Sequence, residues 1–449
     1  MNFVKTPQAE GLNIAVIGSG IAGMSAAWLL STKHNVTVYE QEKRIGGHSH
    51  TVDVTKNKEN QPVDTGFIVY NEQNYPNLVA LFDCLGVETQ PSDMTFSVSI
   101  DQGSFEFGST DLGSVFGQRS NVFKPHFWKM LNDIRRFFRE AQEFLNQNQT
   151  NHSLTLGDFL TQGGYSKIFI EKFILPMGAA IWSTKADEMR AQPASTFIRF
   201  FASHGLLRFK NQIPWRTVVG GSREYIKKLT TNYIDRVNLG RGVKSVTRNL
   251  DGVLITDHND NVETFDHVVI ATHGDQALKM LADPDPLEKE LLGHFHYTKN
   301  RVLLHSDPTL MPKRKNVWSS WNFMGQTDQG VSVTYWMNRL QSLDNKNPLF
   351  VTVNPKIEPR EDLLHRSFEY EHPFFDIDAW VAQQELWNLQ GQRNTWFCGS
   401  YFGYGFHEDA LQSGLAVAEE LGGVKRPWSL KEPSGRIYCH PREKKLAAE

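Results

Sequence analysis

Three glycines and one acid carry the most specific chemistry in this sequence. Residues 13–47 read NIAVIGSGIAGMSAAWLLSTKHNVTVYEQEKRIGG. An apolar run, Ile14 to Ile17, meets Gly18-x-Gly20-x-x-Gly23, and Glu40 follows Gly18 by 22 residues. Gly18 permits a tight strand-to-helix turn. Gly20 has no side chain, so a pyrophosphate can approach the backbone of Ser19, Gly20, Ile21 and Ala22. Gly23 lets the helix pack closely on the strands. The helix N-terminus offers free N–H groups and a positive dipole end. Glu40 stands where an acid accepts both ribose hydroxyls of an adenosine half. The glycine spacing alone is a weak signal. Strand, glycines, helix, second strand (36–39) and acid in register make a dinucleotide-binding unit.

The rest of the chain must supply the other strands of that unit and a substrate site. Its 449 residues suffice for two to three domains, with 40% hydrophobic and 12% aromatic residues. A net charge of −3 gives no reason to expect nucleic-acid binding. Cys84, Cys398 and Cys439 form no metal spacing, and so sparse a set fits a reducing compartment. No metal site is expected. No apolar run reaches the roughly 18 residues of a membrane span, and residues 1–11 lack the apolar core of a signal peptide. The expectation is a cytoplasmic protein with, at most, peripheral membrane contact.

Helical spacing of apolar residues marks 75–85. It also marks 127–145, where Phe127, Met130, Leu131, Ile134, Phe137, Phe138, Ala141 and Leu145 recur opposite Lys129, Arg135, Arg136 and Arg139. That pattern suits a core helix with a solvated basic face, or a helix lying on an anionic membrane. Residues 157–182 continue helical, with a break expected at Pro176 and Gly178. Phe197, Phe200, Phe201, Leu206, Leu207 and Phe209 suggest a greasy pocket or ordinary core. Residues 94–100, 104–107, 302–305, 331–337 and 349–353 read as strands of a substrate sheet. Trp318, Trp321, Phe323, Tyr335 and Trp336 lie on or beside them. Residues 424–449 read as a polar tail.

After Glu40 come Gln41, Glu42, Lys43, Arg44, Ile45, Gly46 and Gly47. This resembles the E-x(3)-R-x-G-G signature of two-dinucleotide-binding-domain flavoproteins. The resemblance implies FAD, with Gln41, Arg44, Gly46, Gly47 and His48 near its pyrophosphate and ribityl chain. Asp64, Thr65, Gly66 and Phe67 resemble an acid-x-Gly stretch that passes the flavin ring in amine-oxidase-like proteins. Val243, in RGVKSV, is similar to the valine that meets adenine. DHVVIATH resembles the strand that brings Ala271, Thr272 and His273 to the ribityl and phosphate groups, with His273 where glycine is usual. The closing stretch, Gly399, Ser400 and then a helix opened by His407, Glu408, Asp409 and Ala410, resembles the family's final motif. There the helix N-terminus faces the flavin pyrimidine and stabilises negative charge on it.

With five such motifs in order, the chain is identified as a member of the FAD-dependent amine oxidase, phytoene desaturase and protoporphyrinogen oxidase superfamily. The stretches GGHSHTVDV, DTGFIVYNEQNYPNL and FGYGFHEDALQSG resemble a subgroup of NAD/FAD-binding oxidoreductases associated with cyclopropane-fatty-acid-synthase-like methyltransferases. Some of its members desaturate methyl fatty acids. The implied fold is α/β: a Rossmann-like FAD-binding domain (1–75, 213–292, 386–449) with an inserted α+β substrate domain (76–212, 293–385). The implied lysine of amine oxidases falls at Asn300. Lys299 faces the other side of the strand. No cysteine stands where some relatives tether FAD, so the cofactor is expected to be non-covalent.

The expected activity is hydride removal from an apolar substrate. The first choice is an unsaturated or methyl-branched fatty acyl chain, in a phospholipid or free. The alternatives are oxidation of a hydrophobic amine in a cage of Trp318, Trp321, Tyr335 and Tyr404, redox-neutral double-bond isomerisation, and non-catalytic FAD binding beside a fatty-acid methyltransferase. For the acid–base role the candidates are His48, His50, Tyr70 and His407, with His273 and Glu408 behind them. For each, orienting the backbone or cofactor is the first reading and direct catalysis the second.

Overall fold

Two sheets organise the computed structural model, which describes residues 11–56, 59–147, 154–182, 186–207, 213–250, 252–326 and 330–439. The first is a five-stranded parallel sheet ordered Val237–Leu239, Asn35–Glu40, Asn13–Ile17, His267–Ile270, Thr395–Phe397. Strands from three distant stretches of chain meet here, because parallel neighbours need crossovers. The first helix, Ile21–Leu30, is buried at every position. It lies between this sheet and the closing helix His407–Gly422, so its sequence is apolar all round rather than on one stripe. The two helices cross closely: a Cβ at Gly414 would lie 2.2 Å from Ala22 O.

The second sheet has seven strands, ordered Leu364–Phe374, His296–His305, Phe350–Val353, Gly330–Trp336, Trp321–Gln326, Phe96–Ile100, Phe105–Gly108. It is antiparallel except where Trp321–Gln326 pairs with Phe96–Ile100. Alternation sends Trp321 and Tyr335 to the cavity face. Trp336 goes to the other face, where it packs edge-on against Trp318. Helices cover the cavity side. The longest, Pro125–Gln147, buries Phe127, Met130, Ile134, Phe137 and Ala141 in this half's core. Part of its basic face is neutralised within the protein. Arg136 reaches Asp133, Gly163 O and the Tyr165 ring, and Arg139 lies near Glu140 and Glu143.

Two expectations change. The irregularity near Pro176 lies upstream of it, as a π-helical turn over Ile170–Ile174, and Leu175–Trp182 runs on as α-helix. Proline tolerates the start of a helix and disturbs the turn before it. The supposed polar tail is tied down through residue 439. Arg426 bonds Glu419 and Asn77, Arg436 bonds Asp409, and Trp428 stacks on Trp28. Charges hidden by such pairing read as solvent-facing in a sequence. Residues 440–449 and Phe209 lie outside the described residues. Among the described residues no helix is long and apolar enough to cross a membrane.

Candidate active site

A single cavity of about 900 Å³ runs from the edge of the parallel sheet to the face of the antiparallel one. Its first end is mostly backbone. The strand Asn13–Ile17 delivers Gly18, whose φ of +102° suits glycine and whose N–H donates to Tyr39 O at 2.8 Å. Ser19, Gly20, Ile21 and Ala22 line the wall, as do Gln41, Arg44, Gly46 and Gly47. A Cβ built at Gly20 meets nothing within 4 Å and would stand in open cavity. A Cβ at Gly23 would lie 1.9 Å from Gly18 O, so Gly23 serves helix packing and does not reach the wall.

Glu40 is buried and held open. One carboxylate oxygen accepts from Ser19 N–H (2.9 Å) and Ser19 O–H (2.6 Å), the other from Glu42 N–H (2.9 Å). A carboxylate has about four acceptor positions, so capacity remains for a ribose hydroxyl. Arg44 pairs with Glu42 through Nε, while its Nη1 is buried with no partner among the described residues. A buried guanidinium nitrogen without an acceptor is costly. This one borders the glycine cradle, where an anionic group would satisfy it. Glycine cradle, acid and the free Nη1 of Arg44 together fit an FAD adenosine and pyrophosphate. Val243, Ala271, Thr272, His273, Gly399, Ser400 and Ala410 complete this end.

Several expected site residues turn out to be scaffolding. Asp64 accepts from Ser222 N–H and O–H, Thr51 O–H and the Gln341 amide, so its carboxylate ties the Gly220-Gly221-Ser222 turn to the strand Glu59–Asp64. Glu408 accepts from the Asn77 and Leu78 N–H groups and so caps the helix Pro76–Leu85. Asp409 is paired with Arg436 and accepts from Phe406 N–H. Each acid serves a helix or strand end away from the cavity. His50 bonds Tyr370 O–H and packs on Phe368, and Tyr70 is buried against Tyr75 and Phe82. Neither lines the wall, so neither is in reach of substrate.

The middle of the cavity holds a group of uncharged imidazoles. His48 and His372 both line it, with ring centroids 5.3 Å apart. Burial lowers the His48 pKa well below its usual value and brings His372 down to about 4. The tautomer of His372 follows from a chain of bonds that starts at backbone. Arg301 N–H donates to Asn354 Oδ1 (3.1 Å), which leaves Asn354 Nδ2 to donate to Asn300 Oδ1 (2.6 Å). Asn300 Nδ2 is then the group 2.9 Å from His372 Nδ1. His372 Nδ1 therefore accepts, and Nε2 carries the hydrogen. Asn300 thus orients an imidazole where the superfamily resemblance implied a lysine. Lys299 is exposed and bound to Glu369. His48 Nε2 is buried and unpartnered among the described residues.

Thr65, Gly66 and Phe67 line the same region. Thr65 bonds Tyr370 O–H (2.7 Å), and Phe67 stacks on His407 with centroids 3.9 Å apart. His407 opens the closing helix, and its Nε2 lies 2.9 Å from Tyr225 O–H, which also bonds Ser49. Burial lowers its pKa to about 3. His273 stacks flat on Tyr297, and burial lowers its pKa against the opposing charge of Glu371. Tyr297, Tyr370 and His372 were not anticipated. Phe368, Tyr370 and His372 alternate with Glu369 and Glu371, which is the period of a strand. Two glutamates among the aromatics disguise it as a charged loop.

The far end is apolar. Met94, Phe96, Met177, Ile181, Val302 and Trp321 line it, with Phe200 and Leu206 from the aromatic stretch. Phe197, Phe201 and Leu207 pack into core. Tyr335 and Tyr404 reach the cavity and Trp318 does not, because its Nε1–H is bound to Pro312 O. Among the described residues no three His, Cys, Asp or Glu are placed to hold a metal ion, and no cysteine lines the cavity.

Comparison with known proteins gives the same fold. The family described as flavin containing amine oxidoreductase matches residues 21–347. A Mycobacterium tuberculosis protein, AofH, named for flavin-containing monoamine oxidase, is 25% identical over 316 residues, which is 65% of this chain and 63% of that protein. Cyclohexylamine oxidase from Brevibacterium oxydans superposes with a TM-score of 0.65 at 15% identity, over 92% of this chain and all of that one. The CLA-producing fatty acid isomerase from P. acnes gives 0.61 at 14% identity, over 91% of this chain and 98% of its own. At those identities the structural likeness is one of fold.

Proposed function

The chain belongs to the flavin containing amine oxidoreductase family of FAD-dependent enzymes, and from that premise we propose that it dehydrogenates an unsaturated or methyl-branched fatty acyl chain. The observation that carries this reading is the far end of the cavity. Its wall is methionine, aliphatic and aromatic side chain, which favours a flexible hydrocarbon over a charged or compact substrate.

Bound FAD supplies a hydride acceptor. The chain's own residues do the rest. The glycine cradle, Glu40 and Arg44 hold the nucleotide half without a covalent link. Phe96, Trp321 and their neighbours exclude water from the acyl chain. In a chain that already carries a double bond, branched or not, removal of a hydride from the allylic carbon and of a proton from its neighbour leaves a conjugated diene. His48, with a free and uncharged Nε2, is positioned to take that proton. His372, fixed by Asn300, supplies a hydrogen-bond donor beside it. At neutral pH both rings are uncharged, so neither repels a developing cation.

Incubation with methylated or monounsaturated phospholipids tests the reading through diene absorbance. Diene formation that is lost in His48→Phe with FAD still bound supports it. No diene from any acyl substrate removes it. A second reading, oxidation of a hydrophobic amine, is favoured by the edge-on pair Trp321–Tyr335 in the wall and by the names of the relatives. It requires that an amine reduce the flavin anaerobically. A pairing with a fatty-acid methyltransferase would supply the methyl-branched chain.

A further inference from the structure

At one corner of the antiparallel half, four apolar side chains stand in solvent. Leu112 is 77% exposed, Val122 40%, Phe123 86% and Trp128 50%. They form one patch. The Trp128 ring lies 5.5 Å from Phe116, one turn beyond Leu112, and its Nε1–H donates to Val122 O at 2.8 Å. Phe123 ends the turn Arg119–Phe123, just before the helix Pro125–Gln147. The patch is anchored from below. Buried Phe127 packs on Phe105, Phe107 and Phe116, so the outward rings stand on a rigid aromatic base.

Its charge is mostly positive. Residues 111–132 contain Arg119, Lys124 and Lys129 and one carboxylate, Asp111, which caps the helix Leu112–Val115 by accepting from Ser114 N–H. Lys315 lies on the turn Lys315–Val317, which packs against the helix Leu112–Val115. None of these four cations has an ion-pair partner among the described residues; Lys124 reaches only the Asn121 amide oxygen. Arg136 and Arg139, further along the same helix, are paired with acids instead.

We propose that this corner is a docking surface for an anionic lipid membrane, with Phe123 and Trp128 inserting among headgroups and Arg119, Lys124, Lys129 and Lys315 meeting lipid phosphates. A protruding ring flanked by unpaired cations suits a bilayer, which offers depth for the ring and negative charge all round it. A protein partner would need a shaped recess for Phe123 and carboxylates set against each cation. None of these side chains lines the cavity, so docking does not depend on what the cavity oxidises.

The test is sedimentation of the FAD-loaded full chain with vesicles of phosphatidylcholine alone and of phosphatidylcholine with phosphatidylglycerol. The expected result is binding to the mixed vesicles, weakened by salt, with a blue shift of Trp128 fluorescence that is absent in Trp128→Phe. Phe123→Ser should weaken binding about tenfold or more. Lys124→Gln with Lys129→Gln should cost about fivefold per charge. Val381→Ser, at an exposed apolar position on the helix Ile377–Gln383, should change nothing. Failure to bind the mixed vesicles overturns the proposal and leaves a protein partner as the occupant. Binding unchanged in Phe123→Ser overturns it as well, because charge alone would then explain the attraction. Phe123, Trp128, Lys129 and Val381 are exposed and Lys124 is half-buried, so the variants should fold, and unchanged FAD absorbance checks that they do.

Discussion

The two ends of the cavity recognise by different means. The nucleotide end works through backbone: a glycine cradle, a helix N-terminus and one acid, all within 13–47. The acyl end works through side chains gathered from stretches as far apart as Met94, Met177, Val302 and Trp321. A backbone site demands particular residues at fixed spacing. A greasy wall demands only volume and apolarity, which many sequences satisfy.

The sharpest way to break that contrast lies inside the glycine motif itself. Gly23→Ala should destabilise the fold by about 3 kcal/mol, since its Cβ has no room beside Gly18 O. Gly20→Val should leave the fold intact, since its Cβ meets no protein atom, yet weaken FAD binding by about a hundredfold or more. Urea unfolding and FAD titration separate the two. If Gly20→Val binds FAD normally, the cradle is misassigned. Glu40→Gln comes next. Loss of a charge-assisted bond to ribose should weaken FAD by about tenfold to a hundredfold with little effect on the substrate's KM.

That motif made one end legible. The strand, helix and acid of 13–40 stand where their spacing puts them, and Val243, Ala271 and Gly399 join them at the wall. What did not read through was the partner of each buried charge. Asp64, Glu408 and Asp409 carry signals of a site and serve as caps and clamps, because sequence shows a carboxylate and not the donors around it. At the joint between the two ends, Tyr370 and His372 come from the strand Leu364–Phe374, whose alternation is masked by Glu369 and Glu371 between its aromatics. The role of Asn300 depends on Asn354 and His372, which lie far from it in sequence and bond it on either side.

At the acyl end the expected effect is smaller. Trp321→Ala removes part of the wall without touching the cradle. The KM for a long-chain substrate should rise about tenfold, less for a short one, with FAD affinity unchanged. A change in FAD affinity instead would mean that the two ends are not separable. An effect absent at neutral pH concerns acid stability. His204 is buried between Phe200 and Trp215, and burial holds its pKa at about 3, against about 6.5 when unfolded. Between those values the unfolded chain binds the extra proton. The stability tied to neutral His204 is therefore full above pH 6.5 and is lost as pH falls towards 3. His204→Phe should flatten the stability–pH curve in that window by up to about 1.4 kcal/mol per pH unit. Parallel curves for the two proteins would show that the ring is not buried neutral.

The most direct measurement is anaerobic mixing of the FAD-loaded protein with a panel of acyl phospholipids and hydrophobic amines, following the flavin absorbance band. Bleaching by an unsaturated or methyl-branched chain, and not by amines, is the predicted result. Bleaching by amines alone would contradict the acyl account and leave the Trp321–Tyr335 wall as part of an amine site.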